Sequence, residues 1–237
     1  LEEAVMYRVV DLTYTLDARQ PALAGHPRLQ ITAVHTFAEH GRSNMAISCS
    51  LHQGTHVDAP SHFVEGQASI DAVPLDRLVG PAVLADLRGR VGPGNLVQVA
   101  DIQAGLPPGV EIRGKILVLF TGWSAARFHQ PDYYERSPGL HGETAAWLAR
   151  QGIRALVLDM PTDVATPGGP RHGDAPGHRA LLGAGIPLIE HVGYLDQLQS
   201  RQFLLIAAPI KVGGGDGAPA RVLALEGLPL AEVVMAS

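Results

Sequence analysis

The stretch from His52 to His62, reading His-Gln-Gly-Thr-His-Val-Asp-Ala-Pro-Ser-His, sets three histidines and one aspartate at even positions. In an extended chain that parity points all four the same way. A straight strand of this length would hold its end histidines roughly 33 Å apart, too far for one small site. A helix fails as well: at about 100° per residue, His52 and His56 share a face that Asp58 and His62 leave. Gly54, the β-branched Thr55 and Val57, and Pro60 are also poor helix-interior residues. What remains is a short strand that turns at Gly54 and again before Pro60, drawing two imidazoles and a carboxylate toward a common point.

Around this segment the chain is rich in strand signals. Apolar runs at Ile31–Val34, Ala82–Leu87, Ile116–Phe120, Ala155–Leu158, Phe203–Ala207 and Val222–Leu225 read as buried strands. Gly142–Gln151 reads as a helix, with Ala145, Leu148 and Ala149 as its apolar stripe and Gly152 as its stop, and the Ala155 strand follows at once. A second short helix is predicted at Pro176–Leu182, opening on proline, with a strand at Pro187–Ile189 behind it. Gly105–Gly109 and Thr166–Pro170 read as surface loops rather than linkers. Helix-to-strand units among many strands predict a mixed α/β architecture. With no linker and no repeat at solenoid or propeller spacing, residues 1–237 are expected to make one domain.

Composition narrows the function. Apolar residues at 46% against 17% charged supply a sizeable core and exclude a disordered chain. A net charge of -5 gives no general attraction for nucleic acid or anionic lipid, and no apolar run approaches the ~20 residues of a membrane span. A soluble, cytoplasmic protein acting on a small molecule is expected. Cys49 is the only cysteine, so an all-cysteine metal site is excluded and any metal has to be held by histidine and carboxylate. Those donors suit zinc, manganese or iron. Such a cation lowers the pKa of water toward neutrality and supplies a nucleophile without serine or cysteine. The bland alternative, histidines satisfied beside a tight turn, has to account for four ligand-type residues in eleven positions.

The pattern His52-x-Gly54-Thr55-His56-x-Asp58-x-Pro60-x-His62 resembles the signature of a family of metal-dependent hydrolases known as cyclases, which includes bacterial kynurenine formamidase and isatin hydrolase. The likeness runs along the chain: Val10-Asp11-Leu12-Thr13 is similar to the family's opening strand, Thr121-Gly122-Trp123 to the end of a central strand, and Gly215–Arg221 to its closing loop. The resemblance implies metal ligation by His52, His56 and Asp58, and an acid and base role for His62. It further implies that His178 and Glu190 complete the ligand set for one or two ions, Zn2+ or Mn2+, with Asp58 and Glu190 bridging if there are two. It implies a swivelling β/β/α fold assembled as a dimer or tetramer.

One departure bears on substrate. Kynurenine formamidases carry an aromatic residue in an early Trp-Pro-Gly-Asp-like segment, whereas this chain reads Leu23-Ala24-Gly25-His26-Pro27. Leu23 offers no flat π-face, which argues against formylkynurenine and toward another small amide, formamide, lactam or ester. Leu23 and Trp123 are the candidate substrate contacts, Trp123 being equally readable as core. His191 is expected to face away from Glu190 and to be structural if the strand stays extended. His129 and His172 read as solvated, and Asp11, Asp86, Asp159 and Asp163 as turn or cap residues. The Gly213–Gly217 run lacks the spacing of a phosphate loop. Three functions stay open: a hydrolase, a metal-assisted cyclase or dehydratase, and a non-catalytic binder. Hydrolysis adds water to the product and dehydration removes it, while a binder predicts loss of a ligand or of His62.

Overall fold

Alternation of side chains along short strands decides the architecture. The computed structural model describes residues 6–21, 23, 25–164 and 175–230. Its strands are β1 (Arg8–Asp11), β2 (Gln30–His35), β3 (Asn44–Ser48), β4 (His56–Asp58), β5 (Val79–Asp86), β6 (Leu96–Val97), β7 (Ile116–Phe120), β8 (Gly139–Leu140), β9 (Leu156–Leu158), β10 (Leu188–Glu190), β11 (Gln202–Pro209) and β12 (Gly217–Glu226). β5, β7, β9 and β10 are parallel neighbours, as chain crossovers through helices require, and the remaining main-sheet pairings are antiparallel. Along one edge β12 pairs first with β4, through Gly217–Pro219, and then with β1. The β12–β4 pairing closes β12-β11-β5-β7-β9-β10-β4 into a seven-stranded mixed barrel, with β1 outside the ring.

Period two then sorts the core into an inside and an outside. Val57, Leu84, Val118, Val157, Ile189, Leu205 and Val222 belong to one buried cluster to which every barrel strand contributes. Their neighbours Val83, Leu117, Leu119, Leu156, Leu158 and Leu188 belong to a second, covered by Leu148 of the helix Gly142–Ala149 and by Leu181 and Leu182 of the helix Pro176–Gly183. Both helices lie where the apolar stripe and the opening proline predict them. Each fully buried leucine contributes about 1.5–3 kcal/mol. The mixed α/β expectation therefore holds, and closure of the sheet is what the strand pattern did not reveal.

Two expectations are corrected. Ile31–Val34 does form a strand, but not a buried one: among the described residues β2 pairs only with β3 in a separate two-stranded sheet, and Ile31 and Val34 are half exposed. An apolar run shows strand propensity, not whether anything covers it. Gly215–Arg221 is not a loop throughout, because Gly217 onward is β12, paired on both edges. Thr166–Pro170 and His172 lie outside the described residues. No helix among the described residues is long and apolar enough to cross a membrane.

Candidate metal centre

Val57 points into the barrel, so its neighbours His56 and Asp58 face outward on the same strand. The antiparallel register sets Glu190 opposite His56 and Leu188 opposite Asp58, which brings the Glu190 carboxylate onto that face from more than a hundred residues away. Two turns fold the rest of the motif over it, as the spacing required. Gly54 has φ 62, a left-handed value suited to glycine, and Pro60 opens a 3-10 turn ending at His62. The His52 and His62 rings stack with centroids 3.8 Å apart. Gly217, opposite Asp58, makes room for this: a β-carbon there would lie 2.7 Å from His52 Cε1 and 2.8 Å from the Val57 carbonyl oxygen.

His178 arrives on the first turn of the helix Pro176–Gly183. Asp163 accepts hydrogen bonds from the backbone N–H groups of Gly177 and His178 and from His178 Nδ1, at 2.9, 3.1 and 2.6 Å. The same carboxylate thus caps the helix and aims the imidazole. Its cap role was expected; its second role was not.

Donor chemistry tests whether a cation fits. His56 donates Nδ1–H to the Gly54 carbonyl at 2.8 Å, and His178 donates Nδ1–H to Asp163. In the neutral ring each Nε2 therefore carries the lone pair. His56 Nε2 faces Asp58 Oδ1 at 3.1 Å and Glu190 Oε2 at 3.7 Å, and His178 Nε2 faces Asp58 Oδ2 at 3.4 Å and Glu190 Oε1 at 3.5 Å. Asp58 Oδ2 is buried without a hydrogen-bond partner among the described residues. With both rings neutral, the two Nε2 lone pairs and the carboxylate oxygens converge as a set of donors for a divalent cation, and the residues fit one. The two oxygens of Asp58 address different imidazoles, as a bridging carboxylate does.

Protonation follows from the same charges. Burial disfavours charged His52, yet Asp58, at 2.7 Å, and Asp216 outweigh it and raise its pKa to about 9. Burial likewise opposes charged His178, but Asp163, Asp58 and Glu190 raise it to about 10, and a cation held there would take the place of its second proton. Burial would raise Asp58, but the surrounding imidazoles, His56 foremost, hold it well below the usual carboxylate range. For His62 burial prevails and lowers its pKa.

Asp216 is the site residue that the sequence left without a role, although its glycine-rich surroundings were weighed as a phosphate loop and as part of the family's closing loop. Its Oδ2 lies 3.2 Å from His62 Nδ1 and 3.1 Å from His52 Nε2, the latter without hydrogen-bond alignment. Its neighbours Gly215 and Gly217 were the available signal. His191 also departs from expectation: its φ of 55 breaks the extended geometry and turns the ring to the Glu190 side. Trp123 is buried in the outer core against Tyr133 rather than among the histidines. Leu23 is half-buried, in a segment whose Gln20 bonds Gln53 of the motif. His129 is exposed; Asp11 and Asp86 pair with nearby arginines. Asp159 receives the Thr121 and Gly122 N–H groups at a strand end, and burial pushes it up to about 6.

A barrel rim bearing imidazoles and carboxylates around a cation position, with one histidine held beside them, defines a metal-dependent hydrolase, and this chain is one. It belongs to the cyclase family: the family described as Putative cyclase matches residues 10–163. It is 27% identical over 220 residues, 92% of this chain and 94% of the relative, to a kynurenine formamidase of Erythrobacter litoralis (strain HTCC2594). Isatin hydrolase A from Labrenzia aggregata superposes with a TM-score of 0.80 at 30% identity, covering 92% of this chain and 93% of that one. A potential metal-dependent hydrolase with cyclase activity superposes with a TM-score of 0.75 at 28% identity, covering 94% and 100%.

Proposed function

We propose that this enzyme hydrolyses the C–N bond of a small amide, formamide or lactam, or a related ester, at the centre formed by His52, His56, Asp58, His178 and Glu190, with His62 as acid and base. The observation that carries the reading is the convergence of the His56 and His178 Nε2 atoms on the two oxygens of Asp58, beside a histidine whose ring is anchored separately by Asp216. One or two ions, Zn2+ or Mn2+, would be held there, polarising the scissile carbonyl and lowering the pKa of water. Asp58 and Glu190, each with two oxygens facing imidazoles, are the residues suited to bridge two ions.

The protein's own groups then move the proton. Asp216 fixes a proton on His62 Nδ1, which leaves Nε2 as the basic nitrogen. Nε2 takes a proton from water as its oxygen adds to the carbonyl carbon, and returns it to the departing nitrogen as the C–N bond breaks. The lowered pKa keeps His62 neutral and ready as a base at pH 7. Leu23, apolar and half-buried near the motif, favours a substrate whose recognition does not depend on stacking against an aromatic side chain at that position.

Further parts of the proposal are that residues 1–237 act as one cytoplasmic catalytic domain in the swivelling β/β/α arrangement, supported by one closed sheet, and that the chain works as a homodimer or tetramer. The exposed Ile31, Val34, Met45 and Ile47 on β2 and β3 support self-association. Turnover of N-formyl aryl amines, isatin, lactams and lactones by purified protein, before and after metal chelation, tests the function. Turnover lost on chelation, restored by Zn2+ or Mn2+, with a product heavier by one water is expected. Unchanged turnover in metal-free protein would refute the proposal, and a product lighter by one water would identify a dehydratase instead.

A further inference from the structure

Glu190 ends β10, and an extended residue after it would point its side chain to the opposite face. His191 instead has φ 55, in the left-handed region that non-glycine residues rarely adopt. Its ring swings to the Glu190 side, placing Nε2 3.4 Å from Glu190 Oε2 and the ring centroid 5.5 Å from that of His56. The backbone is held in place: the Thr55 hydroxyl donates to the His191 carbonyl at 2.8 Å, so the histidine motif itself secures the turn.

The ring's other nitrogen fixes its protonation. His191 Nδ1 is 2.8 Å from the Tyr133 hydroxyl oxygen, and Tyr133 is fully buried, with its ring against Phe128, Tyr134 and Trp123. His191 is the only hydrogen-bond partner of this hydroxyl among the described residues. A buried hydroxyl has to donate, so Nδ1 accepts and the imidazole proton sits on Nε2, the nitrogen beside Glu190. An imidazole with its proton there offers a hydrogen-bond donor to the carboxylate rather than a lone pair to a cation.

We propose that His191 is a positioning residue for Glu190: Tyr133 sets its tautomer, and Nε2–H, 3.4 Å from Oε2 and attracting it without hydrogen-bond alignment, restrains that oxygen while the Thr162 backbone N–H bonds Oε1 at 2.6 Å. Glu190 is then held at both oxygens, with one edge turned to His56 and the other to His178. This rests on the reading of Glu190 as a metal ligand. It explains why a left-handed histidine sits directly after that residue: only this backbone conformation brings a donor to the outer oxygen from the same strand.

The test is Mn2+ titration of the metal-stripped full chain, with free Mn2+ followed by electron paramagnetic resonance, for wild type, Glu190→Gln, His191→Leu, His191→Gln and Tyr133→Phe. Loss of an outer hydrogen-bond partner typically weakens metal affinity about 10- to 100-fold, and that is expected of His191→Leu. A smaller loss is expected of Tyr133→Phe, and partial rescue of His191→Gln, whose amide can donate. Melting curves report folding, and the Tyr133→Phe variant, one oxygen smaller, keeps the test open if the leucine variant does not fold. Wild-type affinity in His191→Leu and Tyr133→Phe, with weakened Glu190→Gln, would overturn the positioning role alone. Wild-type affinity in Glu190→Gln would instead overturn the ligand reading beneath it. A loss in His191→Gln equal to that in Glu190→Gln, with Tyr133→Phe unaffected, would make His191 a direct ligand and overturn the proposal.

Discussion

β3 and β4 are separated by seven residues, yet every residue of β3 is exposed and every residue of β4 is buried. The difference lies in partners. β4 is paired on both edges, by β10 and β12, with the barrel core beneath it and the helix carrying His178 alongside, whereas among the described residues β3 has β2 alone. A strand held on both edges can fix the direction of a polar side chain closely enough for chemistry. A two-stranded ribbon with both faces open is marginal by itself and suits contact with something else. The histidine motif lies at the junction of these two regimes, and the contrast can be broken or sharpened by substitution.

The largest effect is expected at the centre of the buried strand. Asp58→Asn keeps the shape of the side chain but removes the charge that His52, His56 and His178 surround. Turnover should fall to background and bound metal should be lost, as read by elemental analysis of the purified variant. Melting of the metal-free variant would separate this from unfolding; full metal content with intact activity would show that the burial of β4 serves packing alone.

A smaller loss is expected one turn further on, where the chain leaves the strand. His62→Gln should lower kcat by about 10²- to 10⁴-fold, the usual contribution of a general acid and base, while leaving bound metal in place. In the wild-type enzyme, burial first and the neighbouring His52 and His178 second hold His62 below the ordinary imidazole value of 6.5 despite Asp58 and Asp216. The base form is the neutral one, so kcat/KM should rise with pH through a midpoint below 6.5 and then level off. A midpoint above 6.5 would show that the carboxylates, rather than burial, dominate the surroundings of His62.

Legibility followed the same divide. Parity, Gly54 and Pro60 foretold the bent strand, because those constraints are local and covalent. The helix at Gly142, the helix at Pro176 and most strands were visible for the same reason. Asp216 was not, because its role depends on β12 pairing with β4 across the barrel closure, a contact spanning more than 150 residues that no local pattern encodes. His191 was misplaced because the rule for extended chains fails at a left-handed residue. The ligand role of Glu190 was reached through family likeness rather than through physics: an acid ending an apolar strand reads equally well as an ion-paired surface group. Exposure of β2 was hidden because Ile31 and Val34 look like core residues whether or not a core is present.

The smallest effect on chemistry, and the sharpest on assembly, is expected in that ribbon. Ile47→Lys on β3, paired with Ile31→Lys directly across on β2, places two positive charges on a face that is now apolar. Within a single chain both positions are half exposed, so barrel stability should change by no more than about 0.5 kcal/mol and kcat per chain should hold. If the ribbon joins copies, burying these like charges within the interface costs far more, and the assembly should fall apart to single chains in light scattering after size exclusion. An unchanged mass with unchanged stability would leave the ribbon as surface, and self-association would then have to be sought on another face of the barrel.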